Sequence, residues 1–250
     1  MNREEIKRYV GVTARTLGQV EKDYFQHVVL GAISRRAAGT LVFKGGTMLQ
    51  KTGVVRRFSE DLDFTASGPV RRLEEPSIRA IEVLNHRAST DRQVDDERTT
   101  GFRLRIEGPL FRERRGICTI RVEVSVRESV VLEPGRFEFD PPYPEVLPYV
   151  LATMRPEEVL AEKVRAILSR QKARDLHDVH MLIKKGTELR VDLVDRKLEY
   201  YGMEFDPDEF IARCEVLGHD WETELPPLMD RVEPFEDAMD SVRVLLSGQD

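Results

Sequence analysis

Cysteine is nearly absent. Cys118 and Cys214 are the only two in 250 residues, and each stands among apolar neighbours with no second thiol close by in the chain. That pattern excludes a disulfide framework, fits a reducing compartment and leaves no cysteine set for zinc. Long apolar runs are missing too: nothing approaches the roughly 20 residues of a membrane-spanning helix, and the opening MNREEIKRYVGVTARTLG interrupts any signal-peptide core with charge. The expectation is a soluble, cytoplasmic protein with no membrane partner. The chain has no basic excess, since its formal net charge is −6, so any contact with nucleic acid must use a local patch. Aromatic residues are 7% of the total, which supplies no evident platform for stacking bases. Neither G-x-x-x-x-G-K-[ST] nor G-x-G-x-x-G occurs, which disfavours P-loop and dinucleotide-binding folds. No internal repeat or low-complexity tract is present.

What is present suffices for one large or two modest domains, with a hydrophobic fraction of 40%. Residues 3 to 17 and 19 to 36 read as helices separated at Gly18. In the second, Val20, Tyr24 and Val28 form one ladder and Phe25, Val29 and Ile33 another, which predicts a helix buried on most sides. A short apolar run, 40 to 43, stops at Gly45-Gly46 and is followed by a brief helix from Thr47 to Lys51. Residues 61 to 65 predict a strand, 70 to 88 a helix and the polar segment 89 to 100 a loop. Between 102 and 126, Phe102, Leu104 and Ile106, then Ile120, Val122 and Val124, alternate with charged residues about the Arg112-to-Gly116 turn, as in a hairpin. Residues 132 to 156 hold six of the 13 prolines and read as a linker; beyond it the pattern is helical, over 157 to 169, 173 to 185, 207 to 217 and 231 to 247.

The stretch FKGGTMLQKTGVVRRFSEDLDF carries the chemistry. Residues two apart in a strand share a face, so Asp61 and Asp63 project together, roughly 6.5 to 7 Å apart along the chain. Ser59 joins that face only if the strand begins early. Two such carboxylates repel unless a hard cation such as Mg²⁺ relieves them. Gly45 and Gly46 let the backbone approach a ligand closely, and the N-H groups after them suit phosphate. A lone D-x-D is usually a solvated strand end and a lone Gly-Gly usually a turn; their ordered combination is the stronger signal.

G-G-T, thirteen residues, then D-L-D resembles the opening motif of the polymerase-beta-like nucleotidyltransferase superfamily. The fuller string resembles one branch, the AbiEii/AbiGii-type toxin nucleotidyltransferases of toxin-antitoxin systems. A second match is LAEKVRAILSRQKARDLHDVHML, residues 160 to 182, which resembles that branch's Glu-Lys followed by Arg-Asp-Leu-aromatic-Asp. The resemblance implies an α+β fold: a polymerase-beta-like core, with a mixed sheet flanked by helices, over 1–150, and a helical C-terminal domain over 151–250. It implies Asp61, Asp63 and a third carboxylate, Glu123, as metal ligands for Mg²⁺ or else Mn²⁺. Lys163 and Asp175 join these three as catalytic residues, with Asp178 structural. Lys44, Gly45, Gly46, Thr47, Arg57 and Ser59 are placed at a nucleoside triphosphate.

Each has a plainer alternative. Glu123 could pair a hairpin arginine, Lys163 could snorkel, Thr47 could cap its helix, and Arg56 and Arg57 could form surface ion pairs. His177 and His180 suggest zinc but lack an apparent third ligand, so packing or exposed histidines are expected. The implied activity is Mg-dependent transfer of a nucleotide to an acceptor, the 3′ end of tRNA being first choice. Between 101 and 127, seven arginines (103, 105, 112, 114, 115, 121, 127) oppose three glutamates (107, 113, 123), a patch suited to a phosphate backbone. A monomer with an adjacently encoded cognate antitoxin is expected. The alternatives are a small-molecule, antibiotic-type nucleotidyltransferase and a non-catalytic module that binds a nucleotide or a partner.

Overall fold

The computed structural model describes residues 1–250 except 14, 38, 69–71, 96–98, 113–114, 128 and 248–250. After α1 (Arg3–Thr13), α2 (Leu17–Arg36) begins at a capping box: the Thr16 hydroxyl accepts from the Gln19 N-H while the Gln19 side chain takes the Thr16 N-H. Gly18, expected to separate neighbouring helices, therefore lies inside the first turn. Both predicted ladders of α2 are buried.

The first compact unit comprises Met1–Met48, Glu60–Val130 and Pro134–Thr153. In chain order it contains β1 (Leu41–Lys44), the start of α3 (Gly45–Lys51), β2 (Leu62–Ala66), α4 (Glu74–Glu82), β3 (Arg87–Asp95), β4 (Thr99–Glu107), β5 (Cys118–Ser125), β6 (Gly135–Phe139) and β7 (Tyr149–Thr153). These strands make one mixed sheet in the order β3-β4-β5-β2-β1-β7-β6. β1 is antiparallel to β2 and parallel to β7, and β2 is parallel to β5. Leu62, Phe64, Phe102, Leu104, Ile120, Val122 and Val124 are buried, while Asp63, Arg103, Arg121 and Glu123 between them are half-buried or exposed. That period-two division is what prepares a wet face for chemistry.

Two expectations fail. Residues 89 to 100 are not a loop, because β3 runs through Arg87–Asp95 and pairs with β4. As an edge strand it needs little apolar side chain; Ala88 and Thr90 are half-buried while Arg87, Ser89 and Asp91 are exposed, so its alternation is too weak to read from hydropathy. The proline-rich segment is not a linker either. It supplies β6 and β7, paired antiparallel, and Pro141, Pro142, Pro144 and Pro148 fall in the connection between them, where a missing N-H is tolerated.

The second unit comprises Leu49–Ser59, Val131–Glu133 and Met154–Asp250. Its described helices are α5 (Pro156–Ser169), α6 (Ala173–Lys184), α7 (Val191–Glu199), α8 (Pro207–Val216), α9 (Gly218–Glu224) and α10 (Phe235–Ser247). Leu160, Val164, Ile167 and Leu168 form the predicted apolar stripe of α5, all buried. Glu158 on the same helix accepts the N-H groups of Val131 (2.9 Å) and Leu132 (3.0 Å) and pairs with the buried Lys197 (2.7 Å). Phe58 N-H donates to the Leu228 carbonyl at 2.7 Å, so both short segments are tied in by backbone groups. Among the described residues, no helix is long and apolar enough to cross a membrane.

Candidate active site

On the charged face of the sheet, register aligns four residues across four strands. Lys44 on β1 is the Cα partner of Asp63 on β2; Asp63 partners Glu123 on β5; Glu123 partners Gly101 on β4. Directly opposed residues in paired strands present their side chains on the same side. Two carboxylates thus stand side by side, flanked by the lysine of β1 and, on β4, by a buried glycine whose missing Cβ would lie 3.2 Å from the Val122 carbonyl.

Gly45 follows Lys44 at φ +75°, in the region that disfavours a side chain, and a Cβ placed there would lie 2.7 Å from an Asp63 carboxylate oxygen. The turn therefore brings backbone against the carboxylate, at a distance that only glycine permits. The buried Thr47 hydroxyl donates to the Asp61 carbonyl at 2.5 Å. One residue earlier, the Glu60 carbonyl accepts from Gln26 of α2 at 2.9 Å, and the Glu60 carboxylate pairs with Lys22 at 3.1 Å. Asp61, exposed and immediately before β2, is thereby fixed through its main chain. Thr47 and Gln26 are positioning residues. Gln26 stands beside Phe25 on a helix that also carries Glu21, Lys22, Asp23 and His27, so nothing in the sequence singles it out.

Glu123 is already engaged. Arg121, two residues earlier on the same face, donates to its carboxylate, and Arg127 stands 4.0 Å away. Among the described residues no three His, Cys, Asp or Glu side chains are gathered closely enough to hold a metal. Carboxylates brought together repel one another, and Arg121 supplies a counter-charge to Glu123. The donor set nevertheless suits Mg²⁺: hard oxygens from Asp63 and Glu123 at one register position and from Asp61 just before the strand.

Lys163, Asp175, Arg57 and Ser59 belong to the second unit. Asp178 is fully buried and receives the Arg57 guanidinium through two bonds of 2.6 Å, and Lys163 Nζ at 2.7 Å. Lys163 also bonds Asp175 at 2.8 Å, whose other oxygen takes Arg170 Nε at 2.9 Å. Burial would raise the Asp178 carboxyl, but Arg57 and Lys163 outweigh it and hold it well below the usual carboxylate range; Lys163 and Arg170 do the same for Asp175. The same bonds overcome burial to raise Lys163, so the cluster is ionic throughout. Arg57, only 3% exposed, spends its fork on Asp178. Ser59 donates its N-H to Gln50 Oε1 at 2.7 Å. His180 is buried between Ser241 (2.8 Å) and Glu233 (2.7 Å), and His177 is buried near Trp221.

The family model described as nucleotidyl transferase AbiEii toxin, Type IV TA system, matches residues 30–243. No curated protein matches the sequence. Among solved structures, MenT4, a nucleotidyltransferase toxin from Mycobacterium tuberculosis H37Rv, is similar with a TM-score of 0.69 at 22% identity, over 99% of this chain and 89% of that one. JHP933 from Helicobacter pylori is similar with a TM-score of 0.62 at 20% identity, over 94% of each chain.

Proposed function

The chain belongs to the AbiEii nucleotidyltransferase toxin family of toxin-antitoxin systems, and from that premise we propose that it transfers a nucleoside monophosphate from a nucleoside triphosphate to the 3′ end of a tRNA in the cytoplasm, acting as a monomer opposed by a cognate antitoxin. The observation that carries the reading is the approach of Gly45 to Asp63 within the row Lys44, Asp63, Glu123, Gly101. Carboxylates and a phosphate-accepting turn share one face there. Asp61, Asp63 and Glu123 would hold Mg²⁺ or Mn²⁺, which when bound supplies positive charge to phosphate oxygens. Lys44 and the N-H groups of the glycine turn orient the triphosphate. The acceptor hydroxyl attacks the α-phosphorus, the bond to the bridging oxygen breaks, and pyrophosphate leaves with that electron pair; the hydroxyl proton passes to Glu123 or to water. Lys163 and Asp175 are retained as functional residues of the second motif, with Arg57 and Asp178 as their support.

The choice of an RNA acceptor draws on the outer strands. Arg103 and Arg121 are Cα partners on β4 and β5, and both are exposed, as is Arg105. Like charges placed opposite one another tend to destabilise a sheet; Arg121 offsets this by pairing with Glu123, and the exposed row of arginines would suit a phosphate backbone. Arg112, Arg115 and Arg127 are also exposed, while Glu113 and Arg114 lie outside the described residues.

Incubation with each labelled triphosphate, Mg²⁺ and total cellular RNA tests the reading, with Asp61→Ala as control. Label in a discrete tRNA band, absent for the variant, is expected. Near-normal turnover by Asp61→Ala removes the metal assignment, and label on small molecules alone replaces the acceptor.

A further inference from the structure

Within the first unit, α2 and α4 frame an open cleft of about 330 Å³ that the nucleotidyl-transfer reading does not use. Its floor is aliphatic: Ala32, Pro76, Ala80 and Val83. Val83, just past the end of α4, is 79% exposed. The rim is Arg35 and Arg36 from the last turn of α2 and Arg79 from α4, and among the described residues no carboxylate lines the cleft. The Arg79 guanidinium reaches away to Glu75, an exposed pair that contributes little and exchanges readily for a better partner.

In a chain with a formal net charge of −6, three arginines around an apolar floor reverse the local sign. Stabilising the C-terminal end of α2 accounts for Arg35 and Arg36. Arg79 likewise lies in the last turn of α4, so helix ends account for each arginine singly but not for the gathering of all three around one apolar lining. The arginines suit an anionic occupant and the aliphatic lining an apolar one. A nucleic-acid backbone meets the first need only, because the floor has no aromatic ring on which a base could stack. An amphipathic helix with carboxylates beside leucine-like anchors meets both, the arginine forks taking carboxylates while apolar side chains enter between the two helices.

We propose that this cleft docks an acidic amphipathic segment of a partner protein, at a surface separate from the residues assigned to nucleotidyl transfer. The probe is a fluorescein-labelled designed helix of about 16 residues, with leucine at every third or fourth position and glutamate elsewhere, titrated against the full chain by fluorescence anisotropy. Saturable binding is expected, weakened at least about tenfold by Arg35→Glu, Arg36→Glu and Arg79→Glu together, and equally by Val83→Asp alone. A peptide with lysine replacing glutamate should not bind. Circular dichroism melting confirms that the variants fold, and Arg79→Ala serves as a milder test should the triple variant fail. Nucleotide transfer by the variants should equal that of the parent.

Three results overturn the proposal. One is unchanged peptide binding by the folded variants. Another is equal binding of a control peptide with serine replacing leucine, which reduces the cleft to a charged surface. The third is a single-stranded RNA that binds the parent and is lost with the arginines, which makes it a nucleic-acid surface. Failure of the catalytic reading shows separately, as transfer that persists in Asp61→Ala.

Discussion

At Gly45 two constraints coincide, a backbone in the left-handed region and an Asp63 oxygen 2.7 Å from where a Cβ would be. The first costs a side-chain-bearing residue on the order of 1 to 2 kcal/mol, and the second displaces the carboxylate. Gly45→Ala should therefore lower kcat/KM for the triphosphate by about 100-fold, the size of effect expected when a reacting group moves by about 1 Å, with a smaller fall in thermal midpoint. Turnover like the parent's would show that Asp63 does not need the backbone so close. Glu123 separates two roles cleanly, because glutamine keeps its shape and its hydrogen bond to Arg121 while removing the charge. If it binds the cation, Glu123→Gln should raise the Mg²⁺ concentration needed for half-maximal transfer about tenfold or depress turnover at saturating Mg²⁺. An unchanged Mg²⁺ titration would leave Glu123 as a partner of Arg121 alone.

Among elements, α5 and α6 are joined by a buried ionic cluster rather than by apolar packing alone. Asp178 bonds Arg57 and Lys163 with no exposure to water, so Asp178→Asn leaves two buried cations short of a counter-charge and should cost about 3 to 5 kcal/mol in chemical denaturation. The pH dependence has a definite sign. Both Asp175 and Asp178 have folded-state values below the ordinary carboxylate value, so their contribution is complete above the unfolded-state value of about 3.9 and is lost as pH falls towards the folded ones. Stability of the parent should be insensitive to these groups near neutrality and decline in acid, and Asp178→Asn should show a shallower decline from a lower plateau. Equal stability of variant and parent at neutral pH would show that the cluster is not ionic.

For the whole molecule, the proposed RNA acceptor raises the question of how an acidic chain would bind an anion. The net charge of −6 would oppose its approach, while the exposed Arg103, Arg105 and Arg121 on the strand face would attract it locally. Binding to tRNA should weaken steeply with salt, and Arg103→Glu with Arg105→Glu should both lower affinity and flatten the logarithmic salt dependence, by about 0.7 to 0.9 for each phosphate contact removed. Filter binding at several salt concentrations measures both quantities. Affinity and slope unchanged in the double variant would move the acceptor off these strands.

The local codes were legible in the chain. Strand, glycine turn, helix and D-x-D occur in contiguous order, and hydrophobic periodicity marked α2, β4, β5 and α5, because each of these signals is carried by neighbours in sequence. The resemblance of two motifs supplied the family, which the match over residues 30–243 shows. The rest depends on residues far apart in the chain. Edge strand β3 and proline-flanked β6 were hidden because an edge is held by backbone pairing, which hydropathy does not report. Only the folded sheet aligns Lys44 and Asp63 with Glu123 and Gly101, since register is a relation between strands. Likewise, only tertiary packing turns Arg57 inward to Asp178, pins Glu60 and Asp61 through Gln26 and Thr47, and brings Arg79 beside Arg35 and Arg36. Sequence determined which chemical groups the protein carries and in what local conformation; the tertiary structure decided which of them meet, because distance in space is set by packing and not by order along the chain.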